Sequence, residues 1–130
     1  MRKNYSKFIL IAGFIAVLSS CSKDETTVTS TDKYTGTWSC KEVQGTASTT
    51  FTITIQKYGN EDSLSVFNFD NLGSNEKALF IVNDNSVVIP SQNVGVNPSY
   101  SVAGSGTYSG GKINLSYTVD GDSYTAVCTK

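Results

Sequence analysis

Cys21, Cys40 and Cys128 are the only side chains whose type and placing specify a covalent chemistry in this chain. Around them, and elsewhere, the usual catalytic groupings cannot be assembled. There is no histidine, which removes the commonest general base and the commonest transition-metal ligand. A serine nucleophile without histidine needs a lysine base beside it, and no Ser–Lys pair can be placed on one site from the sequence. Asn83-Asp84-Asn85 and Asp120-Gly121-Asp122 carry oxygens of the kind Ca²⁺ takes, but neither has the spacing of an EF-hand loop. Both are hairpin residues first. Glu61-Asp62 likewise reads as a turn and not as an acid–base pair. The expectation is a non-enzyme with no catalytic residue, no metal site and no cofactor.

Cys21 stands at a boundary. Arg2, Lys3 and Lys7 form a positive segment, Phe8 to Leu18 is an unbroken apolar run, and the small residues Ser19 and Ser20 follow. That is the layout of a secretory signal, and the apolar run is far short of the roughly 20 residues of a membrane-spanning helix. Leu18-Ser19-Ser20-Cys21 resembles a bacterial lipobox. The resemblance implies that residues 1–20 are removed, that the Cys21 thiol receives a diacylglyceryl group, and that Cys21 becomes the N-terminus. Two or more acyl chains anchor a protein stably, whereas one gives only marginal binding. Cys21-Ser22-Lys23-Asp24-Glu25 further resembles the short acidic export signal of surface lipoproteins in Bacteroidota-type bacteria. It implies an outer-membrane lipoprotein facing the cell exterior, with the periplasmic leaflet as the alternative.

Beyond Cys21 the composition excludes one class of partner. Seven lysines face eleven acids there, a net charge of about −4, and Arg2 is the chain's one arginine. A nucleic-acid binder carries a basic patch, and no cluster of Lys or Arg occurs. From Ser22 to about Lys33 the residues are almost all Ser, Thr, Lys, Asp and Glu. Such a segment buries too little apolar surface to offset its ordering entropy. Residues 21–33 therefore read as a lipidated cysteine with a disordered tether, and residues 34–130 as the folded domain.

In that domain the apolar residues recur with period two. Thr50 to Gln56 and Lys112 to Val119 alternate cleanly, as strands with one wet face do. Gly59-Asn60, Leu72 to Asn75, Asn83 to Asn85, Gly110-Gly111 and Asp120-Gly121 supply turn residues that tolerate positive φ. The pattern predicts eight strands over 35–43, 49–57, 63–69, 77–82, 86–90, 100–109, 112–119 and 122–129, with one longer link from Ser91 to Ser99. Short connections predict an all-β antiparallel meander, closed into a small up-and-down barrel; a two-sheet β-sandwich is the alternative. Tyr34-Thr35-Gly36-Thr37-Trp38 resembles the Gly-x-Trp opening of lipocalin and related calycin barrels. The resemblance implies that Trp38 closes one end of the barrel, that a basic residue from the last strands closes the base with it, and that the interior holds a small hydrophobic ligand. No position for that basic residue stands out. The domain is also shorter than a ligand-carrying lipocalin, so any cavity should be smaller.

Cys40 falls in the first strand and Cys128 in the last, which are neighbours in a closed meander. An even pair in an exported protein predicts a disulfide across the seam. Trp38, Phe51, Ile53, Ile55, Leu64, Val66, Leu115, Tyr117, Tyr124 and Ala126 form the expected interior, either as a pocket lining or as the packing of a filled barrel. Phe67 and Phe69, on the third strand, include a candidate exposed aromatic for a partner surface. Gly104 and Gly106 predict a bend or a close approach of the opposite wall. The expected function is a membrane-anchored, non-enzymatic module that binds a protein or a glycan, with a carrier of a small hydrophobic ligand as the alternative. Loops such as Ser91 to Ser99 leave room for enzyme inhibition.

Overall fold

Phe51, Ile53 and Ile55 turn inward while Thr52 and Gln56 are exposed, so the period-two pattern is realised as a wall with one dry face. The computed structural model describes residues 31–59 and 62–130; the signal segment, Cys21 and Glu61 lie outside them. Eight strands follow: β1 (Gly36–Gln44), β2 (Ala47–Lys57), β3 (Ser63–Phe67), β4 (Lys77–Asn83), β5 (Ser86–Val94), β6 (Tyr100–Ser109), β7 (Lys112–Val119) and β8 (Asp122–Thr129). Each is antiparallel to its sequence neighbours, and β8 pairs back onto β1 to close an up-and-down barrel. Cys40 and Cys128 stand directly opposite in that seam, bonded, with Cα atoms 4.0 Å apart.

The barrel has two unlike ends. Thr31 and Lys130 sit at one, with the hairpin turns 84–85 and 110–111; we call it the entry end. The other carries the turns 45–46 and 120–121, the link 95–99 and the long connection 68–76; we call it the capped end. Asp32 and Lys33, tether residues by composition, belong to the fold. A 3-10 turn spans Asp32–Tyr34, Thr31 is buried, and Lys57 pairs with Asp32.

Two strands depart from the pattern for local reasons. β3 ends at Phe67 because Asn68 adopts φ 61°, which asparagine tolerates and most residues do not. Phe69 is therefore off the strand, buried beneath the connection, and not an exposed partner residue. β5 runs through Pro90 to Val94, so the Ser91–Ser99 loop expected from the sequence shrinks to residues 95–99. On β6, Gly104 and Gly106 face Tyr117 and Leu115 across the β6–β7 pairing. A Cβ at Gly104 would lie 2.4 Å from the Tyr117 Cβ, and one at Gly106 2.3 Å from the Asn114 carbonyl oxygen. The glycines give Tyr117 and Leu115 the space they fill.

Between β4 and β5 the ladder opens. Direct pairing covers only Ile81, Val82 and Asn83 against Val88, Val87 and Ser86, and the register of β5 shifts between Ile89 and Gln92. Pro90 has no N–H to offer. The Gln92 side chain takes the place of the missing strand. Its Oε1 accepts from the Leu79 N–H (2.8 Å), and its Nε2 donates to the carbonyls of Leu79 (2.8 Å) and Pro90 (3.0 Å). Gln92→Ala leaves three half-buried main-chain groups without protein partners. We expect a loss of about 2 kcal/mol and a melting temperature lower by about 10 °C. Gln92→Glu keeps the volume and the acceptor but loses both donors, and should lose most of that stability too. Thermal melts of the two variants check this; a loss below about 0.5 kcal/mol in both would mean that water replaces the amide without cost.

Candidate functional site at the capped end

The interior is filled by its own side chains. Trp38, Ile53, Ile55, Leu64, Val66, Phe80, Val82, Val87, Ile89 and Leu115 form one continuous core. Trp38 closes the entry end. Its Nε1 donates to the Tyr34 carbonyl (2.7 Å), and Tyr34 in turn donates its hydroxyl to the Asp84 carbonyl (2.7 Å). Burial first, then the Asp84 charge, pushes the Tyr34 phenol up to about 12, so it remains a donor. Tyr108 meets both rings edge-on, at 5.4 and 6.4 Å between centroids. Lys130 lays its ammonium 4.8 Å from the Trp38 ring centroid and donates to the Thr35 carbonyl (2.6 Å). Lys130, one residue past β8, is the cation on the Trp38 ring at this end.

The capped end gathers a polar cluster. Residues 68–76 fold over the mouth, with Asn68, Asp70 and Asn71 all at positive φ. Asn68 ties the cap down: its Nδ2 donates to the Thr52 carbonyl (2.8 Å) and its Oδ1 accepts from the Gly73 N–H (3.0 Å). Phe69 drops into the barrel, 5.3 Å from the Phe80 ring and 4.7 Å from the Tyr117 ring. Beside it, the Tyr117 hydroxyl oxygen lies 2.6 Å from Glu42 Oε1 and 3.0 Å from Asp70 Oδ1. A phenol has one hydrogen and can serve one of these oxygens. The other short contact requires a proton on a carboxyl group. Burial, and then the hydrogen bond and charge of Glu42, raise Asp70 to about 8, with Tyr117 pulling it partly back. Asp70 is therefore the carboxyl that favours holding the shared proton. Tyr124 stacks on Tyr117 at 5.7 Å, and the charges of Asp120 and Asp122 bear on the same mouth.

This arrangement makes stability fall with rising pH. The folded state holds the Asp70 proton more tightly than the unfolded chain, where an aspartate titrates near 4. The contribution is fully present below about pH 4 and is lost as pH rises through about 8. One proton at full coupling is worth about 1.4 kcal/mol per pH unit. Asp70 is only partly buried, so solvent screening reduces this, and we expect roughly 2 kcal/mol lost between about pH 5 and 9. Denaturant titrations across that range check it. Asp70→Asn, which keeps a donor where the proton sat, should flatten the profile; a parent profile already flat would remove the shared proton.

The expected interior residues are largely where alternation puts them. Trp38, Phe51, Ile53, Ile55, Leu64, Val66, Leu115, Tyr117 and Ala126 are buried, while Tyr124 is half-buried at the mouth. Glu42 and Asp70 are the residues of this polar cluster that sequence patterning misses. Glu42 had a signal: Trp38-x-Cys40-x-Glu42 puts a carboxylate on the inward phase of β1. Asp70 had none, because its position depends on the reversal at Asn68. The two acidic turns are hairpin structure. Asp84 accepts from Lys33 (3.1 Å), and Asp120 Oδ1 accepts from the Ser101 N–H (2.8 Å). Asp62 serves as a turn as well, its carbonyl accepting from the Val82 N–H (2.8 Å).

No known family model, no curated protein and no solved structure matches the chain.

Proposed function

We propose that the chain is an outer-membrane lipoprotein, anchored through Cys21, whose barrel is a non-enzymatic binding module working from its outer wall. One observation carries this reading: the barrel is packed from end to end, with Trp38 at the entry end and Phe69 at the capped end. A hydrophobic ligand would need the space these side chains occupy, so the packing counts against a carrier. A module with a full interior has only its exterior to offer a partner. The path of the chain supports an orientation as well. Thr31, the first described residue, lies at the entry end, so an anchor at Cys21 would hold that end toward the membrane. The outer wall and the capped end, with Glu42, Asp70, Glu76, Asp120 and Asp122, would then face away. On the short acidic signal after Cys21 we assign that outward side to the cell exterior.

Metabolic labelling with an alkyne fatty acid in the native bacterium tests the anchor. The expected result is a labelled protein that loses its label on Cys21→Ala. Protease treatment of intact cells tests the side: digestion supports the exterior, and survival until the outer membrane is permeabilised assigns the periplasmic leaflet. An unlabelled parent protein would overturn the anchored reading.

A further inference from the structure

The opening of the β4–β5 ladder leaves a groove of about 170 Å³ on the wall, lined by Tyr58, Ser65, Lys77, Ala78, Leu79 and Gln92. We infer that this groove is a binding site for a small organic anion, a carboxylate carried on a body about one ring in size. The inference rests on the outer-wall reading of the barrel and gives it a place and a ligand class.

Ser65 is the first observation. It pairs with Leu79 on the phase of β3 that alternates with the inward Leu64 and Val66. It is nevertheless only 6% exposed, and its hydroxyl has no hydrogen-bond partner among the described residues. Buried polar groups are almost always paired, and an exception calls for an explanation. A hydroxyl lining a groove is explained by a ligand atom that pairs with it.

Lys77 is the second. Its ammonium lies 5.2 Å from the Tyr58 ring centroid and has no carboxylate within ion-pair distance among the described residues. Lys33, Lys57 and Lys130 are engaged, with Asp84, Asp32 and the Thr35 carbonyl. Among the described residues Lys41 and Lys112 lack an ion pair as Lys77 does, but only Lys77 is among the residues lining the groove. An uncompensated cation beside a free hydroxyl is complementary to a carboxylate. Tyr58 is half exposed and offers a ring edge or face, and Ala78 and Leu79 give an apolar floor. Gln92 is a wall and not a contact, since both its N–H groups are spent on the Leu79 and Pro90 carbonyls. The volume is below the roughly 300 Å³ at which drug-sized sites begin, which fits one ring and excludes a lipid tail.

The test is an NMR titration of the chain from Ser22 to Lys130, which contains the whole closed barrel, with glucuronate and with benzoate. Glucose and benzyl alcohol serve as their uncharged counterparts. The expected result is saturable shifts of the Ser65, Leu79 and Gln92 amides with an acid and not with its neutral counterpart. Lys77→Gln and Ser65→Ala should each weaken binding about tenfold while leaving the rest of the spectrum in place. A response to glucuronate identifies the body as a sugar ring, and a response to benzoate as an aromatic ring; either supports the site. No saturable shift with either acid, or shifts that persist in Lys77→Gln, would overturn it. Shifts elsewhere on the outer wall overturn the groove and leave the outer-wall reading standing. Shifts confined to Ile53, Val66 and Leu115 in the interior overturn both.

Discussion

The Cys40→Ala/Cys128→Ala double variant should be about 4 kcal/mol less stable than its parent. The bond closes a loop of 88 residues, nearly the whole domain. In the chain-entropy account, releasing so long a loop in the unfolded state costs the folded state on the order of 4–5 kcal/mol. Both sulfurs are also buried, so their removal opens small gaps that add to the loss. Against this, the seam keeps its main-chain pairing of Ser39 to Val43 with Thr129 to Thr125. A domain of this size has a total stability of roughly 5–15 kcal/mol, so the loss is a large share of it, and the melting temperature should fall by about 20 °C. Denaturant unfolding of the variant, beside the parent with and without reductant, measures it. Reduced parent and variant should agree. A loss below about 1 kcal/mol would mean that the hydrogen-bonded seam alone sets closure. The effect reaches the entry end, because β8 delivers Lys130 to the Trp38 ring. A frayed β8 should therefore change the tryptophan fluorescence before global unfolding.

The fold was legible where a rule of period two governs and opaque where one residue breaks that rule. β7 and β8 follow their predicted bounds because alternation and a two-residue turn leave one register that buries Ile113, Leu115 and Tyr117. The seam disulfide follows from the same logic, since a closed meander makes β1 and β8 neighbours. The pattern overextends β3 because Phe67, Asn68 and Phe69 continue an acceptable alternation. The left-handed turn at Asn68 is held by bonds to Gly73 within the connection and to Thr52 on β2, which is distant in sequence. The pattern stops β5 short because proline usually ends a central strand. Here Gln92 supplies from its side chain the donors and acceptor that the proline-bearing strand does not. The capped-end cluster is non-local in the same way: Glu42, Asp70 and Tyr117 come from three segments, and Tyr117 occupies room that Gly104 leaves. Gly104 and Tyr117 could each be singled out, but their pairing depends on the β6–β7 register.

Phe69→Ala should lose about 3 kcal/mol and turn a filled barrel into one that takes up a small aromatic molecule. Phe69 is almost fully buried between Phe80 and Tyr117, and phenylalanine-to-alanine changes in such settings cost about 3–5 kcal/mol. The lower figure is expected because the site lies near the mouth, where a wall can relax. Whether a cavity persists depends on what holds the cap. Its anchors are the Asn68 side chain on Thr52 and Gly73, and Asp70 beside Glu42 and Tyr117, and none of them involves the Phe69 ring. The roof should therefore stay in place above the space the ring vacates, and an apolar cavity under an intact roof stays dry and binds apolar molecules. Denaturant unfolding gives the stability loss, and titration with a naphthalene fluorophore gives the uptake, with the parent expected to show none. Raising the pH through about 8 removes the Asp70 proton and loosens the roof, so uptake by the variant should be faster there and its equilibrium affinity weaker. A variant that loses stability but gains no uptake would show that the cap collapses into the gap. A parent that already binds the fluorophore among Ile53, Val66 and Leu115 would return the barrel to the carrier reading, because its packed interior would then open without any substitution.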